Sequence, residues 1–517
     1  MGLGLDLTGT SKSRTDCDPR EFCDELCRWF TLNEPDSVSA IQSPLERLDE
    51  ESPDAGMDAD MDGGDHDCGH DHDHSRGADC GHDHDHDHSH DHDGDDDCQS
   101  TLGTVQLFPT AEPLAIETGP GGRLRLSTKT TTVGPGYHRW LCRVIQRLGE
   151  EFEVEWLQYN EEAEPGDDTC FFFHHEPARV DQEMLRWLRT VAQQVQAMAS
   201  SGSGLDLQVN MPPNPVFAHP GPILTPLGPR SLEWLQRVAV DPSAGTDIFP
   251  WWEEGQSASM LLNRALCRMW EQVCWRAPLD ETEGELLLDL HNDLAAAYAL
   301  DPTLPFPWRE WAEVLDLLEE DESANEVEPR IAETVREFAG QVPASQPKVS
   351  YRRGTLRASL PGQWSIELPG SLAETEDADG NWGALDADRQ VWTAVLSLAA
   401  QDGGPVDRHE LLEALTALEH EEGEASTGGS PGPGPDSGAP SYPLASQPHV
   451  LGVAHFTRHD DADEPYWELT GRAAVDGQAL VLTVLIPSAT DKDWALEVWN
   501  SVRHDPSPDS QELSLDE

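Results

Sequence analysis

The sequence predicts an α+β, multidomain protein, and three observations carry that prediction. Apolar residues recur at helical spacing in some segments and alternate in others, so both kinds of element are written into the chain. The elements fall in blocks separated by stretches rich in proline and glycine at 212–230 and 422–448. One N-terminal block, 31–102, has almost no large apolar residues and is predicted to be a disordered, acidic His/Asp-rich segment. At 517 residues the chain is long enough for about two to four domains.

Residues 1–30 form the first unit, built on the short helix predicted by DPREFCDELCRWF (18–30). Asp18 suits the N-cap, Pro19 the first helical position and Glu21 the third. Phe22, Leu26 and Trp29 share one face; so short a helix needs a surface to dock on, either the body or a partner. A second unit spans 103–211. GRLRLSTKTTTV (122–133) reads as a strand, and YHRWLCRVIQRLGE (137–150) as a helix with Leu141, Val144, Ile145 and Leu148 on one face. FEVEWLQ (152–158) and TCFFFHH (169–175) read as strands, VDQEMLRWLRTVAQQVQAM (180–198) as a helix and LDLQVNM (205–211) as a strand. The β-α-β-β-α-β order predicts a ferredoxin-like α/β unit. Residues 212–340 then predict a helical region: a connector over 212–230, then an all-helical stretch over 231–340, with helices near 231–239, 255–276, 283–299, 306–320 and 326–339.

The last unit, 346–504, predicts a C-terminal antiparallel sheet with helices. GQWSIELPG (362–370) opens it, and GNWGALDADRQVWTAVLSL (380–398) reads as a hairpin. DRHELLEALTALEHE (407–421) reads as a helix, and 422–448 as a flexible insert. VLGVAHFTRH, YWELTGRAAV and ALVLTVLI follow as strands, the last two joined by an Asp-Gly turn. DKDWALEVWNSVRH (491–504) closes the unit, and 505–517 is a disordered tail. With WSIELPG opening a sheet, the long apolar strand ALVLTVLI and the final DWALEVWNSV helix, residues 346–504 resemble the PsbP-like α/β sandwich family. That resemblance implies a binding or assembly role without catalysis.

The formal charge of -65, from 98 acidic and 33 basic residues, argues against nucleic-acid binding and against an anionic membrane surface. Divalent metal ions and a basic protein are the partners it would attract. No apolar leader follows the N-terminus, and no apolar run approaches the roughly 20 residues of a membrane span. A cytoplasmic protein with reduced thiols is therefore expected.

Chemistry concentrates in DCGHDHDHSRGADCGHDHDHDHSHDHDGDDDC (67–98), an imperfect repeat. Ten of the 21 histidines lie there or one residue before it: His66, His70, His72, His74, His82, His84, His86, His88, His90 and His92. Cys68, Cys80 and Cys98 punctuate the run. Imidazole and thiolate donors suit a divalent transition metal, zinc first, with nickel or cobalt as ions the same donors accept. Alternation sets neighbouring histidines about 6.5–7 Å apart along an extended chain, so the chain must wrap around each ion. Ordering costs about 1–2 kcal/mol per residue, which predicts several weak-to-moderate sites rather than one rigid centre. The same tract can also be read as a solubilising linker.

Elsewhere, Cys23 and Cys27 stand one helical turn apart, close enough to share an ion or to be small core residues. STKTTTVGPGYH (127–138) gathers hydroxyls, Lys129 and a Gly-Pro-Gly helix start, a pattern open to an anion or to a plain turn. His138 and His174 could meet at one end of the ferredoxin-like sheet with Cys170 and Glu176. Cys267, Cys274 and His291 read as core residues. No nucleophile elbow, zinc-protease helix or nucleotide-binding loop is present. The expected function is a non-enzymatic cytosolic binding protein whose tract buffers or delivers metal. Two other readings stay open: a protein-interaction or immunity-type protein with a passive tract, and a metal-dependent enzyme using His138 and His174.

Overall fold

The computed structural model describes residues 2–34, 37, 40–42, 101–157, 166–200, 207–211, 214–219, 221–320, 327–349, 351–377, 380–399, 404–425, 440–444, 447–460 and 465–505. The class is α+β: several antiparallel sheets alternate with helical regions in more than one unit. No helix among the described residues is long and apolar enough to cross a membrane.

The N-terminal sheet has six strands in the order β2-β3-β4-β5-β1-β6, all antiparallel. They are β1 (Gly4–Ser11), β2 (Ala40–Gln42), β3 (Thr101–Gln106), β4 (Leu114–Gly119), β5 (Arg123–Lys129) and β6 (Val154–Trp156). The ferredoxin-like order expected over 103–211 does not form. The first correction is β1, which lies outside the expected domain yet inserts between β5 and β6, running from Gly4↔Lys129 to Thr10↔Arg123. Its buried positions alternate through Leu5, Leu7, Gly9 and Ser11, and two of these four are too small to register as an apolar pattern. The second concerns 169–175, where a one-turn helix, Phe171–His174, replaces the strand. Phe171 and Phe172 are both buried there. Consecutive residues of a strand point to opposite faces, whereas a helical turn places both rings in the core. The third is 205–211, whose described part gives a two-residue strand in a separate three-stranded sheet.

Helix α1 (Pro19–Asn33) starts as the sequence predicts, with Asp18 accepting a hydrogen bond from the Arg20 amide. It docks on the body, burying Phe22, Cys23, Leu26, Cys27, Trp29 and Phe30 against the sheet. Helix α2 (Pro135–Glu151) buries Leu141, Val144, Ile145 and Leu148, the predicted face. Next come the short α3 (Phe171–His174) and α4 (Pro177–Ser200).

The expected helical region is α5 (Leu232–Val240), α6 (Ala258–Glu271), α7 (Glu281–Leu300), α8 (Trp308–Glu320) and α9 (Pro329–Gln341). Ser231, Ser257 and Asp280 cap three of them by accepting from Trp234, Met260 and Glu283 amides. This region and the N-terminal sheet share one continuous core.

A second core fills the C-terminal unit. Its seven-stranded sheet runs β13-β14-β15-β19-β18-β17-β16, with β13 at Ala373–Glu376, β14 at Trp382–Leu385, β15 at Gln390–Ser397, β16 at Tyr442–Pro443, β17 at Leu451–His459, β18 at Tyr466–Val475 and β19 at Gln478–Ile486. The DADR hairpin is β14–β15, and Gly477, at φ 79, turns β18 into β19. WSIELP instead joins a four-stranded sheet, pairing as β12 (Trp364–Pro369) with β11 (Thr355–Ser359). Helix α10 (Arg408–Ala425) packs on β17 to β19, and α11 (Lys492–Asn500) against β12 and β19.

Candidate metal centre

Gly134, the residue before α2, adopts φ 120. A Cβ there would lie 2.8 Å from both Phe249 Cβ and the Trp251 carbonyl, so only glycine fits. The Gly136 amide donates to the Trp251 carbonyl at 3.0 Å, and the Trp251 amide donates to Val133 at 3.0 Å. Thr128 Oγ1 donates to the Glu112 carbonyl at 2.8 Å, and Lys129 pairs with Glu112 at 3.2 Å. The helix start that could have received an anion is closed by the protein's own groups.

His138 projects from the first turn of this helix into the core, with no exposed surface. Its Nδ1 lies 2.9 Å from Thr130 Oγ1 and its Nε2 lies 2.8 Å from Thr169 Oγ1. Asp167 Oδ1 is 3.1 Å from the same Nε2. One turn further along α2, Cys142 brings its thiol to the group, and the ligating atoms of His138, Cys142 and Asp167 all lie within 4.8 Å of one another. A buried His/Cys/Asp group of this kind could hold a metal ion.

Asp167 also organises the loop behind the site. Its Oδ1 accepts from the Thr169 amide and hydroxyl, both at 2.8 Å, and its Oδ2 accepts from the Phe172 amide at 2.7 Å. It thereby satisfies amides at the start of α3, where Cys170 sits in the left-handed region at φ 58. The loop pairs with β1 through Leu5, with the Asp6 amide donating to the Gly166 carbonyl at 2.7 Å. Burial raises the Asp167 carboxyl. The hydrogen bond and charge of His138 and the amides of Phe172 and Thr169 outweigh burial and hold it below its ordinary value. Burial first, and Asp167 second, push the Cys142 thiol well above its ordinary range.

Imidazole, thiolate and carboxylate are all metal-ligand types. Nε2, Oδ1 and Thr169 Oγ1 already form a triangle with edges of 2.8, 2.8 and 3.1 Å. An ion held there would require His138 Nε2 and the Cys142 thiol to be deprotonated, with the protons released to solvent. Without an ion, His138, Asp167, Thr130 and Thr169 form a hydrogen-bond network that locks β1, the β5–α2 connection and the α3 loop together.

His138 is the one residue of this centre that sequence reasoning singled out. His174, its expected partner, is exposed, as are His175 and Glu176, and His174 is not in the group. Asp167 was missed because it carries no motif, and Cys142 because it reads as a core residue of an apolar face. His66, Cys68, His70, His72, His74, Cys80, His82, His84, His86, His88, His90, His92 and Cys98 lie outside the described residues. His291 is a satisfied core histidine: Trp311 Nε1 donates to its Nδ1 at 3.1 Å, and burial lowers its pKa. Cys267 is fully buried, and burial pushes its thiol well up.

No protein-family model matches the chain, and no curated protein matches it. Among solved structures, a crystal structure from Bacteroides thetaiotaomicron is 12% identical, covering 30% of this chain and 50% of that one, at a TM-score of 0.22. The solution structure of cyanobacterial PsbP from Synechocystis is 9% identical, covering 32% of this chain and 97% of that one, at a TM-score of 0.21. The chain thus spans half the length of the Bacteroides protein.

Proposed function

We propose that this is a non-enzymatic metal-handling protein of a reducing compartment, in which the 66–98 tract gathers divalent transition ions, zinc foremost and nickel or cobalt after it. One observation carries the reading: ten histidines and three cysteines lie within this short stretch, with aspartates between them. The aspartates raise the local concentration of cations and favour protonated histidine, so affinity falls steeply as pH drops toward about 6. Support comes also from the body, where a buried His138/Cys142/Asp167 group offers a second, closed place for an ion. None of the seven cysteines among the described residues is joined in a disulfide.

Equilibrium dialysis against zinc, nickel and cobalt tests the proposal on the full chain and on a chain lacking 64–98. The full chain should bind several equivalents, and the shortened chain at most one. Equal stoichiometry in the two chains would overturn it and favour the passive-linker reading.

A further inference from the structure

Two thiols outside the centre described above converge on one point of the fold. Cys23 and Cys27 stand a turn apart on the buried face of α1, with 0% and 1% of their surface exposed. Gly103 of β3 lies opposite. A Cβ on Gly103 would sit 2.9 Å from Cys23 Sγ, 3.0 Å from Cys27 Sγ and 3.3 Å from the Gln42 carbonyl oxygen. Both sulfurs therefore lie against the same bare Cα, in the place a side chain at 103 would take. That space lies at the root of the metal-binding tract. Gln42 is the last described residue before the tract and Thr101 the first after it, on the paired strands β2 and β3.

The Cys23 thiol donates to the Ile116 carbonyl at 3.6 Å, and other neighbours act on its charge. The hydrogen bond from Cys27, aided by Thr118 and the Gly103 amide, holds the Cys23 thiol below its ordinary range against burial and the nearby Asp24. Asp24 itself turns aside to pair with Arg28 at 2.8 Å. Two sulfurs without a convergent nitrogen or carboxylate are a poor match for zinc, which takes four ligands. They match a soft ion that accepts few thiolate donors.

We propose that Cys23 and Cys27 hold one monovalent soft metal ion, copper(I) in chemistry, between two thiolates at the base of the tract. Each thiol loses its proton to solvent as its sulfur takes the ion. Two protons leave, no electron moves, and the complex carries one net negative charge beside the Gly103 amide. The covering strand β2 pairs through only Ala40, Ile41 and Gln42 at the sheet edge, so local opening there gives the ion a way in. The donors belong to the folded body, so the site stands apart from divalent binding by the tract.

X-ray absorption of the full chain, loaded anaerobically with one equivalent of copper(I), reads the first shell directly. Two sulfurs are expected. A chain carrying Cys68→Ser, Cys80→Ser and Cys98→Ser should keep both. Adding Cys23→Ser and Cys27→Ser to that triple variant should lose both to histidine nitrogen. Gly103→Ala keeps both thiols but crowds them, and should weaken copper(I) retention against a competing chelator by about tenfold or more. A nitrogen-dominated shell in the full chain, or loss of sulfur in the tract triple variant, would assign the ion to the tract and overturn the site. Neither result depends on whether the tract binds zinc, which the dialysis above decides separately.

Discussion

At the scale of single residues, Asp167 and His138 show why a candidate can be found while its partners stay hidden. His138 is conspicuous because it follows a Gly-Pro-Gly helix start. Its partner comes from a loop whose residues carry no spacing signal, since contacts between loops depend on the tertiary path. The pair is buried, so removing one member is costly. Asp167→Asn should destabilise the chain by about 3 kcal/mol at neutral pH, because it leaves His138 and the loop amides facing a weaker acceptor. The pH dependence has a definite sign. A carboxyl held below its ordinary value contributes stability that is full above the unfolded value, near about 4. That contribution fades as pH falls through the lower folded value. The gap between the parent chain and Asp167→Asn should therefore be widest near neutrality and close under acid. Urea unfolding at a series of pH values measures it; a gap that does not narrow in acid would mean that the lost stability is packing and not charge.

Among elements, periodicity made the helices legible and failed where small residues fill a buried face. The five helices of the central region stand within a few residues of their predicted places, because each carries an apolar stripe and three carry a side-chain cap. β1 escaped because Gly9 and Ser11 occupy inward positions. The C-terminal sheet uses glycine with a different purpose. Gly471 on β18 and Gly452 on β17 make a slot for Trp499 of α11, whose ring is fully buried. A Cβ at 471 would lie 2.5 Å from the indole, and one at 452 would lie 3.1 Å from it. The Trp499 Nε1 then donates to the Tyr442 carbonyl at 3.2 Å, tying the helix to the short edge strand β16. Trp499→Ala should cost about 3–5 kcal/mol through the cavity it leaves. Gly471→Ala should cost about 1–3 kcal/mol through overpacking. If the slot is the cause, the double variant will lose less than the sum of the two, because the added methyl enters vacated space. Strict additivity in denaturant unfolding would show that the glycine is needed for another reason.

Over the whole molecule, two cores meet through the connector and the end of α6. Phe217 and Leu224 belong to the second core although they precede the helical region, and β8 (Val216–Phe217) pairs with β11. Across this seam the Tyr351 ring lies 4.1 Å from that of Trp270, tilted by 35°, and its hydroxyl accepts from the Gly228 amide at 2.9 Å and donates to the Thr225 carbonyl. Arg352 reaches the carbonyls of Glu271, Gly370 and Leu372 at 3.1, 3.0 and 2.8 Å. Glu271 ends α6 here with an inaccessible Oε1 that has no hydrogen-bond partner. Burial pushes its carboxyl up to about 8, with Arg352 opposing only in part. The two units are thus joined beside an acid that stays protonated near neutrality. Below the ordinary glutamate value both folded and unfolded chains carry the proton, and the group has no effect on stability. As pH rises from there toward about 8, the unfolded chain ionises and the folded chain does not, so stability is progressively lost. Glu271→Gln keeps the shape and cannot ionise. It should leave stability nearly unchanged near pH 5 and raise it by about 1–3 kcal/mol near pH 8. Thermal unfolding of both chains across that range checks the sign. An equal shift at both ends would show that the carboxyl is ionised in the folded chain throughout, and that Arg352, not burial, governs the seam.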